Sequence, residues 1–493
     1  MVAALANPPR MIKSSLYTAV NVSASFSLVL AVAMLIPMVV DLSAGHPDWQ
    51  AFLASALIVG TLCLLGIFAT RGHVEPFSLR LGFMVVNLLW VMASVVGALP
   101  FMLSSLQLSP ADAVFESVSG LTTTGATILV GLDSMSHGIL LWRSLTHWIG
   151  GIGIIAIGLL LMPFLRVGGM QIFRMESSTK GDSPTPRFAE FTLILGMIYL
   201  GLTLACTAGY LLAGMDLFTA INEAMSTVST GGFATKDSSF GSYGPGVLIV
   251  AMIFMILGAL PFIAFVRAFV LRDIRRAYEP QIPVLLAILF ILSALAAFGL
   301  IVFQREPVAT SILHASFNVV SIVTTTGFAS DNYMDWGPHA VGLFLFATIL
   351  GGSAGSTSGG LKTYRLIVMY QTVRTAIRGL IFPNGMFVVR YGGAVVPDET
   401  IKAVSIFIAV FFAVLFVVST LLSMLGLDLV TAFSGALTAL TNVGPGLGPI
   451  IGPAGNFSSL PDAAKWILSL TMVLGRLEIL TVIVLFGRGF WRG

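Results

Sequence analysis

Val118-Ser-Gly-Leu-Thr-Thr-Thr-Gly125 is the stretch that decides the fold, because the chain carries it four times. The other copies are Met225-Ser-Thr-Val-Ser-Thr-Gly-Gly232, Val320-Ser-Ile-Val-Thr-Thr-Thr-Gly327 and Leu437-Thr-Ala-Leu-Thr-Asn-Val-Gly444. Aligned on the last glycine, they agree well upstream. Ser109, Asp216, Ser311 and Asp428 stand sixteen residues back, all of them good N-cap types. Alanine stands twelve back: Ala113, Ala220, Ala315 and Ala432. Leu121, Val228, Val323 and Leu440 stand four back, and a hydroxyl stands three back in Thr122, Ser229, Thr324 and Thr441. Self-similarity of this kind sets the organisation of the whole chain.

Each copy predicts a capped helix of about three turns followed by a short Thr/Gly segment, too short for a bilayer crossing of roughly 20 residues. It suits a re-entrant helix that enters the membrane and stops. Non-helical backbone at that depth is tolerated where protein buries it or where it lines a watery cavity. Glycine lets the carbonyls turn to one side, and the helix before it points its negative end to the same place. Four such ends around an axis make a site for a desolvated cation, the physics of a potassium-channel filter. Four small-residue contacts between transmembrane helices would also use glycine. They would not require four caps and four hydroxyls in register.

Composition agrees: of 493 residues 57% are hydrophobic and only 10% charged, with 51 Gly and 35 Phe. This is the signature of an all-α polytopic membrane protein. The net charge of +3 gives no nucleic-acid signature, and Cys63 and Cys206 lie in apolar runs that suggest neither disulfide nor metal cluster. The amino-terminal stretch to Tyr17 is polar and short, without a cleavable-signal pattern. The expected order is an N-terminal two-helix region (1–75) and four units of span, re-entrant helix and span at 76–187, 188–279, 280–395 and 396–493. The second spans of the units are expected at 138–165, 245–271, 339–377 and 463–489, giving ten crossings around one pore. Lys and Arg gather at 71–80, 166–187, 267–276 and 362–378 and are missing from 103–112 and 445–462. By the positive-inside rule the basic loops and both termini are cytoplasmic, and the filters open outward.

Further stretches carry a family resemblance: His147-Trp-Ile-Gly-Gly-Ile-Gly, Gly168-Gly-Met-Gln-Ile-Phe-Arg174, Gly351-Gly-Ser-Ala-Gly-Ser-Thr-Ser-Gly-Gly360 and Leu474-Gly-Arg-Leu-Glu-Ile479. With four single-glycine filter segments on one polypeptide, the chain resembles the Trk/Ktr/HKT superfamily of potassium transporters. The extra N-terminal helix pair is similar to its bacterial TrkH branch. The resemblance covers nearly the whole chain. It implies K⁺ as the transported ion, no cofactor in this chain and residence in a bacterial inner membrane among lipid. It also implies a homodimer with one pore per protomer above a cytosolic, TrkA-like nucleotide-binding regulator. One departure is the fourth copy, with Asn442-Val443 for Thr-Thr and Pro445 after its glycine. Without a Thr-Val-Gly-Tyr-Gly run the filter is simpler than that of a tetrameric channel, so fewer ion sites and looser selectivity are expected.

Three sites follow. Backbone carbonyls of Thr122, Thr123, Thr124 and Gly125, of Ser229, Thr230, Gly231 and Gly232, of Thr324, Thr325, Thr326 and Gly327, and of Thr441, Asn442, Val443 and Gly444 are expected to bind dehydrated K⁺. In plant members a serine at the first filter glycine accompanies sodium preference, and here all four positions are glycine. The run Gly351, Gly352, Ser353, Ala354, Gly355, Ser356, Thr357, Ser358, Gly359 and Gly360 cannot hold an apolar helix at membrane depth and is expected to be a gate, against the alternative of a static kink. It nearly matches a phosphate-binding loop, but Leu361 stands where lysine belongs. Arg476, a charge inside a span, is expected to face the pore, against the alternative of an internal ion pair with some residue other than Glu478.

Lesser expectations concern Glu116 and Glu223, nine before the glycine, which are expected to hydrogen-bond behind the filter. Arg143 and Lys465 are expected to snorkel outward, and the isolated His147 and His314 to bind no metal. No spacing suggests an enzyme. The runner-up reading is a proton- or sodium-coupled symporter on the same scaffold.

Overall fold

The computed structural model describes residues 8–72, 78–160, 185–270 and 278–492. All or part of the basic loops 71–80, 166–187 and 267–276, and the whole Gly168–Arg174 stretch, lie outside the described residues.

α1 (Pro8–Ala33) runs on past Met34 into α2 (Leu35–Ala44), and α3 (Trp49–Thr70) returns alongside α1. The first unit is α4 (Leu79–Leu103), α5 (Pro110–Leu121) and α6 (His137–Leu160). The second is α7 (Thr185–Leu212), α8 (Leu217–Val228), α9 (Pro245–Ala259) and the one-turn α10 (Phe262–Phe265). The third is α11 (Gln281–Gly299), α12 (Val308–Val323), α13 (Pro338–Ile349) and α14 (Thr363–Ile381). The fourth is α15 (Asp398–Met424), α16 (Leu429–Thr441), the one-turn α17 (Gly448–Ile451), α18 (Asp462–Arg476) and α19 (Ile479–Ile483). A two-stranded ribbon pairs Arg390–Tyr391 with Ala394–Val395 before the fourth unit.

Six of these helices are long and apolar enough to cross a membrane, or eight if each bent pair is one span. Unbroken second spans were expected at 245–271 and 463–489, and both are broken. α9 and the segment from Phe262 meet at 95°, and α18 and the segment from Ile479 at 108°. Pro261 ends the first, because its ring cannot continue a helix. Glu478, at φ 58°, ends the second.

The four short helices α5, α8, α12 and α16 sit at the centre. Their Ala113, Ala220, Ala315 and Ala432 are fully buried, which a larger side chain would prevent. Ser109, Asp216 and Asp428 cap as expected, accepting from Asp112, Thr219 and Thr431 N–H at 3.2, 2.9 and 3.1 Å. Ser311 does not cap. Pro307, fixed in φ, starts α12 a turn earlier, so Ser311 lies inside the helix and its hydroxyl is buried without a partner. Two apolar cores flank the centre. One joins α1–α6 with the fourth unit through Trp142, Phe411, Leu437 and Leu468. The other joins units two and three through Tyr210, Phe240, Phe317 and Phe344.

Candidate functional site

The end of each short helix is built the same way. The hydroxyls three before the glycine fold back onto the helix: Thr122, Ser229, Thr324 and Thr441 donate to the carbonyls of Val118, Met225, Val320 and Leu437 at 2.7–2.8 Å. The carbonyls of Val118, Met225 and Val320 also accept the backbone N–H of the same residue, so the hydroxyl takes their second lone pair. The next residue is left-handed in every copy: Thr123, Thr230, Thr325 and Asn442 have φ of 52°, 51°, 59° and 56°. The chain then doubles back, with Thr124, Gly231, Thr326 and Val443 N–H donating to Ser119, Ser226, Ser321 and Thr438 carbonyls at 2.8–3.1 Å. This is a helix-ending motif normally built on glycine.

The four glycines then close a ring. Each has φ between 79° and 108°. A Cβ on Gly125 would strike Gly231 O, on Gly232 it would strike Thr326 O, and on Gly327 it would strike Val443 O. On Gly444 it would meet Thr124 O at 2.7 Å, which returns the circuit to the first copy. All four glycines line one cavity of ≈ 230 Å³, with Lys236 and Asp237 among its other walls. One backbone carbonyl from each copy thus lies against a glycine of the neighbouring copy, and backbone carbonyls gathered in a ring are the groups that can replace a cation's water shell.

Behind the ring runs a buckle that sequence reading found only in part. The N–H three residues after the glycine is caught by a side chain of the short helix. Glu116 accepts from Ile128 at 3.0 Å, Glu223 from Thr235 at 2.8 Å, and Asn318 Oδ1 from Ser330 at 3.2 Å. In the fourth copy the partner is Ser434, one position earlier, which accepts from Leu447 at 2.9 Å. Three different side-chain types at one contact, and a shift of one position in the fourth copy, hide this repeat from a residue-by-residue comparison. Arg143, expected to snorkel, turns inward. It donates to Glu116 at 2.8 Å and to Ala234 O at 2.9 Å, tying the first copy to the second. Lys465 likewise turns inward, onto Asp112 at 2.6 Å. His147 reaches Gly120 O at 2.7 Å and accepts from Phe233 N–H at 3.1 Å. His314 meets the Ser330 hydroxyl at 2.9 Å.

Under the ring lies Gly351–Gly360, between α13 and α14. It is closed at its base, where Leu361 N–H donates to Ile349 O at 3.0 Å and Lys362 Nζ to Ser358 O at 2.9 Å. Its flank rests on the break of unit two: Ser353 N–H donates to Ala259 O and Phe262 N–H to Gly355 O, both at 2.9 Å. Its tip meets three ring segments. Thr230 Oγ1 donates to Thr357 Oγ1 at 3.1 Å, Gly359 N–H to Thr325 Oγ1 at 2.7 Å, and Gly360 N–H to Thr441 O at 2.8 Å. The Ser358 hydroxyl also donates to Thr324 O. Thr123, in the remaining segment, has a buried hydroxyl with no partner.

Arg476 ends α18 beside the bend, 5% exposed, with Nε and Nη2 free of any hydrogen-bond partner. Glu478 does not serve it; that carboxylate holds Arg365 at 2.5 Å, and Arg365 lies over Phe407. Lys362, whose Nζ donates to Ser358 O at the base of the loop, is an electrostatic neighbour of Arg476.

Comparison with known proteins reaches the same place. The chain is 44% identical over 473 residues to the Trk system potassium uptake protein TrkI of Halomonas elongata, covering 94% of this chain and 95% of that one. It is 36% identical over 475 residues to the Trk system potassium uptake protein TrkH of Escherichia coli K12, with 95% and 96% covered. The crystal structure of the potassium transporter TrkH from Vibrio parahaemolyticus superposes with a TM-score of 0.89 at 32% identity, over 97% of this chain and 99% of that one. The family model TrkH, described as cation transport protein, matches residues 49–489. Four short helices closing on one ring, with these matches across nearly the full length, place the chain in the TrkH family of cation transport proteins.

Proposed function

We propose that this chain takes up potassium across a bacterial inner membrane through a pore on the axis of the four-membered ring. The observation that carries the reading is the closed circuit of Gly125, Gly232, Gly327 and Gly444, each against the next copy's carbonyl and all on one cavity. K⁺ sheds water into the carbonyl rows of Thr122–Gly125, Ser229–Gly232, Thr324–Gly327 and Thr441–Gly444. The chain crosses the membrane ten times, counting α6 and the α13–α14 pair beside the eight apolar spans, with both termini in the cytoplasm. The loop Gly351–Gly360 is the gate, for its tip is bonded to the underside of the ring by single, breakable hydrogen bonds. Arg476, unpaired below it, places a positive charge where the ion leaves and slows flux until the loop moves. Two protomers, each with its own pore, sit over a cytosolic nucleotide-binding regulator. The Trk system names of the relatives, which imply more than one component, support that arrangement.

The test is ⁸⁶Rb⁺ uptake into liposomes holding the purified protein and preloaded with K⁺, competed by external K⁺, Na⁺ and Li⁺, with and without a pH gradient. Uptake blocked by K⁺ but poorly by Na⁺, and indifferent to the pH gradient, supports a channel-like potassium pathway. Dependence on the gradient favours the coupled symporter. In the same assay Gly125→Ser, whose side chain strikes Gly231 O, is expected to lose K⁺ over Na⁺ preference; an unchanged preference removes the ring from the ion path.

A further inference from the structure

The hairpin between α2 and α3 holds a second constellation, remote from the ring. α2 ends at Gly45, φ 72°, where Gly45 N–H donates to Leu42 O at 3.2 Å and His46 N–H to Asp41 O at 2.9 Å. This ending folds the chain back and sets His46 over Asp41. Asp48 follows two residues later, at the start of α3. One ligand atom from each of Asp41, His46 and Asp48 lies within 4.8 Å of the other two. Asp41 is 0% and Asp48 4% exposed, whereas the His46 side chain is 38% exposed and gives the group access to water.

The carboxylates have structural duties that do not exhaust them. Asp41 Oδ1 accepts from Gly138 N–H at 2.6 Å, at the start of α6, and fills the space a Cβ on Gly138 would need. The Ser136 hydroxyl is also its neighbour. Asp48 accepts from Ser105 N–H at 2.8 Å and from its hydroxyl at 2.9 Å. His46 Nδ1 stands 3.6 Å from Asp48 Oδ2. What remains is Asp41 Oδ2, fully buried and without a hydrogen-bond partner. A buried carboxylate oxygen left unmatched is costly, and a cation is what satisfies it.

We propose that Asp41, His46 and Asp48 form a divalent transition-metal site, of the zinc class, that pins the N-terminal hairpin to the first unit. One imidazole and two carboxylates suit Zn²⁺ better than Mg²⁺ or Ca²⁺, which favour oxygen alone. Three protein ligands leave a fourth position for water on the exposed side of His46. Around Zn²⁺, with bonds of about 2.0–2.2 Å, ligand atoms stand roughly 3.4 Å apart, inside the 4.8 Å within which the three now lie, so the group tightens on binding. The Gly138 N–H already holds Asp41 and Ser105 already holds Asp48, the support a metal site needs around its ligands. The metal links α2, the end of α4 and the start of α6 at one point. The site is chemically independent of the ion pathway.

The experiment uses the full chain in detergent, stripped with a chelator that is then removed. Zn²⁺ alone is titrated against a chromophoric zinc chelator while the thermal unfolding midpoint is followed, with Mg²⁺ and Ca²⁺ as comparisons. The expected result is one Zn²⁺ per chain and a midpoint raised by several degrees, with little response to Mg²⁺ or Ca²⁺. His46→Ala, which removes a part-exposed side chain, binds at least tenfold more weakly and loses the shift, while its ⁸⁶Rb⁺ uptake stays normal and reports an intact fold. Asp41→Asn keeps the shape and likewise loses the shift. Wild-type protein that binds no more tightly than His46→Ala, or that shows the same shift, overturns the proposal and leaves Asp41 and Asp48 as carboxylates that only hydrogen-bond the hairpin to its neighbours.

Discussion

The ring and the layer beneath it come from the same four units, yet they differ in kind. At the ring the copies repeat each other to the backbone angle: left-handed at the second residue before the glycine and again at the glycine. One level down, α6 runs on unbroken through Gly150, unit two bends by 95°, unit three opens into a ten-residue loop, and unit four bends by 108° at an unpaired arginine. The contrast teaches where equivalence is physically required. An ion on an axis must meet similar carbonyls from all sides. If the loop is the gate proposed above, it has room on the axis for one occupant, so only one unit can supply it.

The comparison breaks most visibly at the ring. Gly232→Ala adds a Cβ against Thr326 O at φ 93°, so the strain and the overpacking fall together. At about 1–2 kcal/mol for a left-handed residue and about 1–3 kcal/mol for overpacking, ⁸⁶Rb⁺ uptake is expected to fall by ~100-fold. Gly444→Ala, where Thr124 O stands off at 2.7 Å, is expected to lose less. Equal losses at both positions make the ring more regular than these contacts.

Next come two buried arginines. Arg476→Gln is expected to speed uptake by roughly tenfold, since a charge about 10 Å from the ion at an effective dielectric of 20 opposes it by ~1.7 kcal/mol. Arg143→Gln, which abandons Glu116 behind the ring, is expected to slow uptake and to cost about 3–5 kcal/mol of stability as a broken buried pair. Slower flux in both variants makes Arg476 a structural residue too. Smaller again, Thr357→Ala removes the loop's bond to Thr230 together with the hydroxyl's own bonds to Gly258 O and Val228 O, a loss of about 1 kcal/mol or more, and is expected to raise uptake at least about fivefold. Unchanged uptake in a well-folded Thr357→Ala protein leaves the loop a static kink.

The smallest effect concerns the caps. Asp428→Ala is expected to lower the thermal midpoint through a loss of about 1 kcal/mol, and Ser311→Ala to leave it unchanged or slightly raised. Hydrogen bonds from Thr431 hold the Asp428 carboxyl below its ordinary range. Its contribution is therefore full above the ordinary aspartate value and fades as the pH falls through the lowered one. The Asp428→Ala deficit should shrink in acid; a pH-independent deficit traces the effect to packing.

Much of this was legible in the sequence. The spans follow from long apolar runs, and the ring from four glycines that keep register with their caps, alanines and hydroxyls. The run at 351–360 announced a break because five glycines cannot sustain a helix. What escaped did so for physical reasons. Pro261 and Pro307 were visible, but a proline states that a helix changes there and not by what angle or from which residue. The bend at Glu478 carries no glycine or proline at all. The buckle behind the ring uses Glu, Glu, Asn and Ser, so only coordinates reveal that one contact is made four times. The inward turn of Arg143 depends on Glu116 and Ala234, far away in sequence.

The residue before the doubled-back turn is where glycine would cost least, yet it is Thr123, Thr230, Thr325 and Asn442. Two of these hydroxyls hold the loop, and the Asn442 amide holds Thr124 Oγ1 of the neighbouring copy at 2.9 Å. A left-handed threonine costs about 1–2 kcal/mol, so the second and third ring segments store conformational tension to keep a polar handle on the loop. Laboratory evolution for heat resistance alone would drift toward glycine at these places. If the loop is the gate proposed above, the result would be a hardier protein whose latch no longer reaches its doorframe, and thermal robustness would then be a misleading proxy for regulated transport.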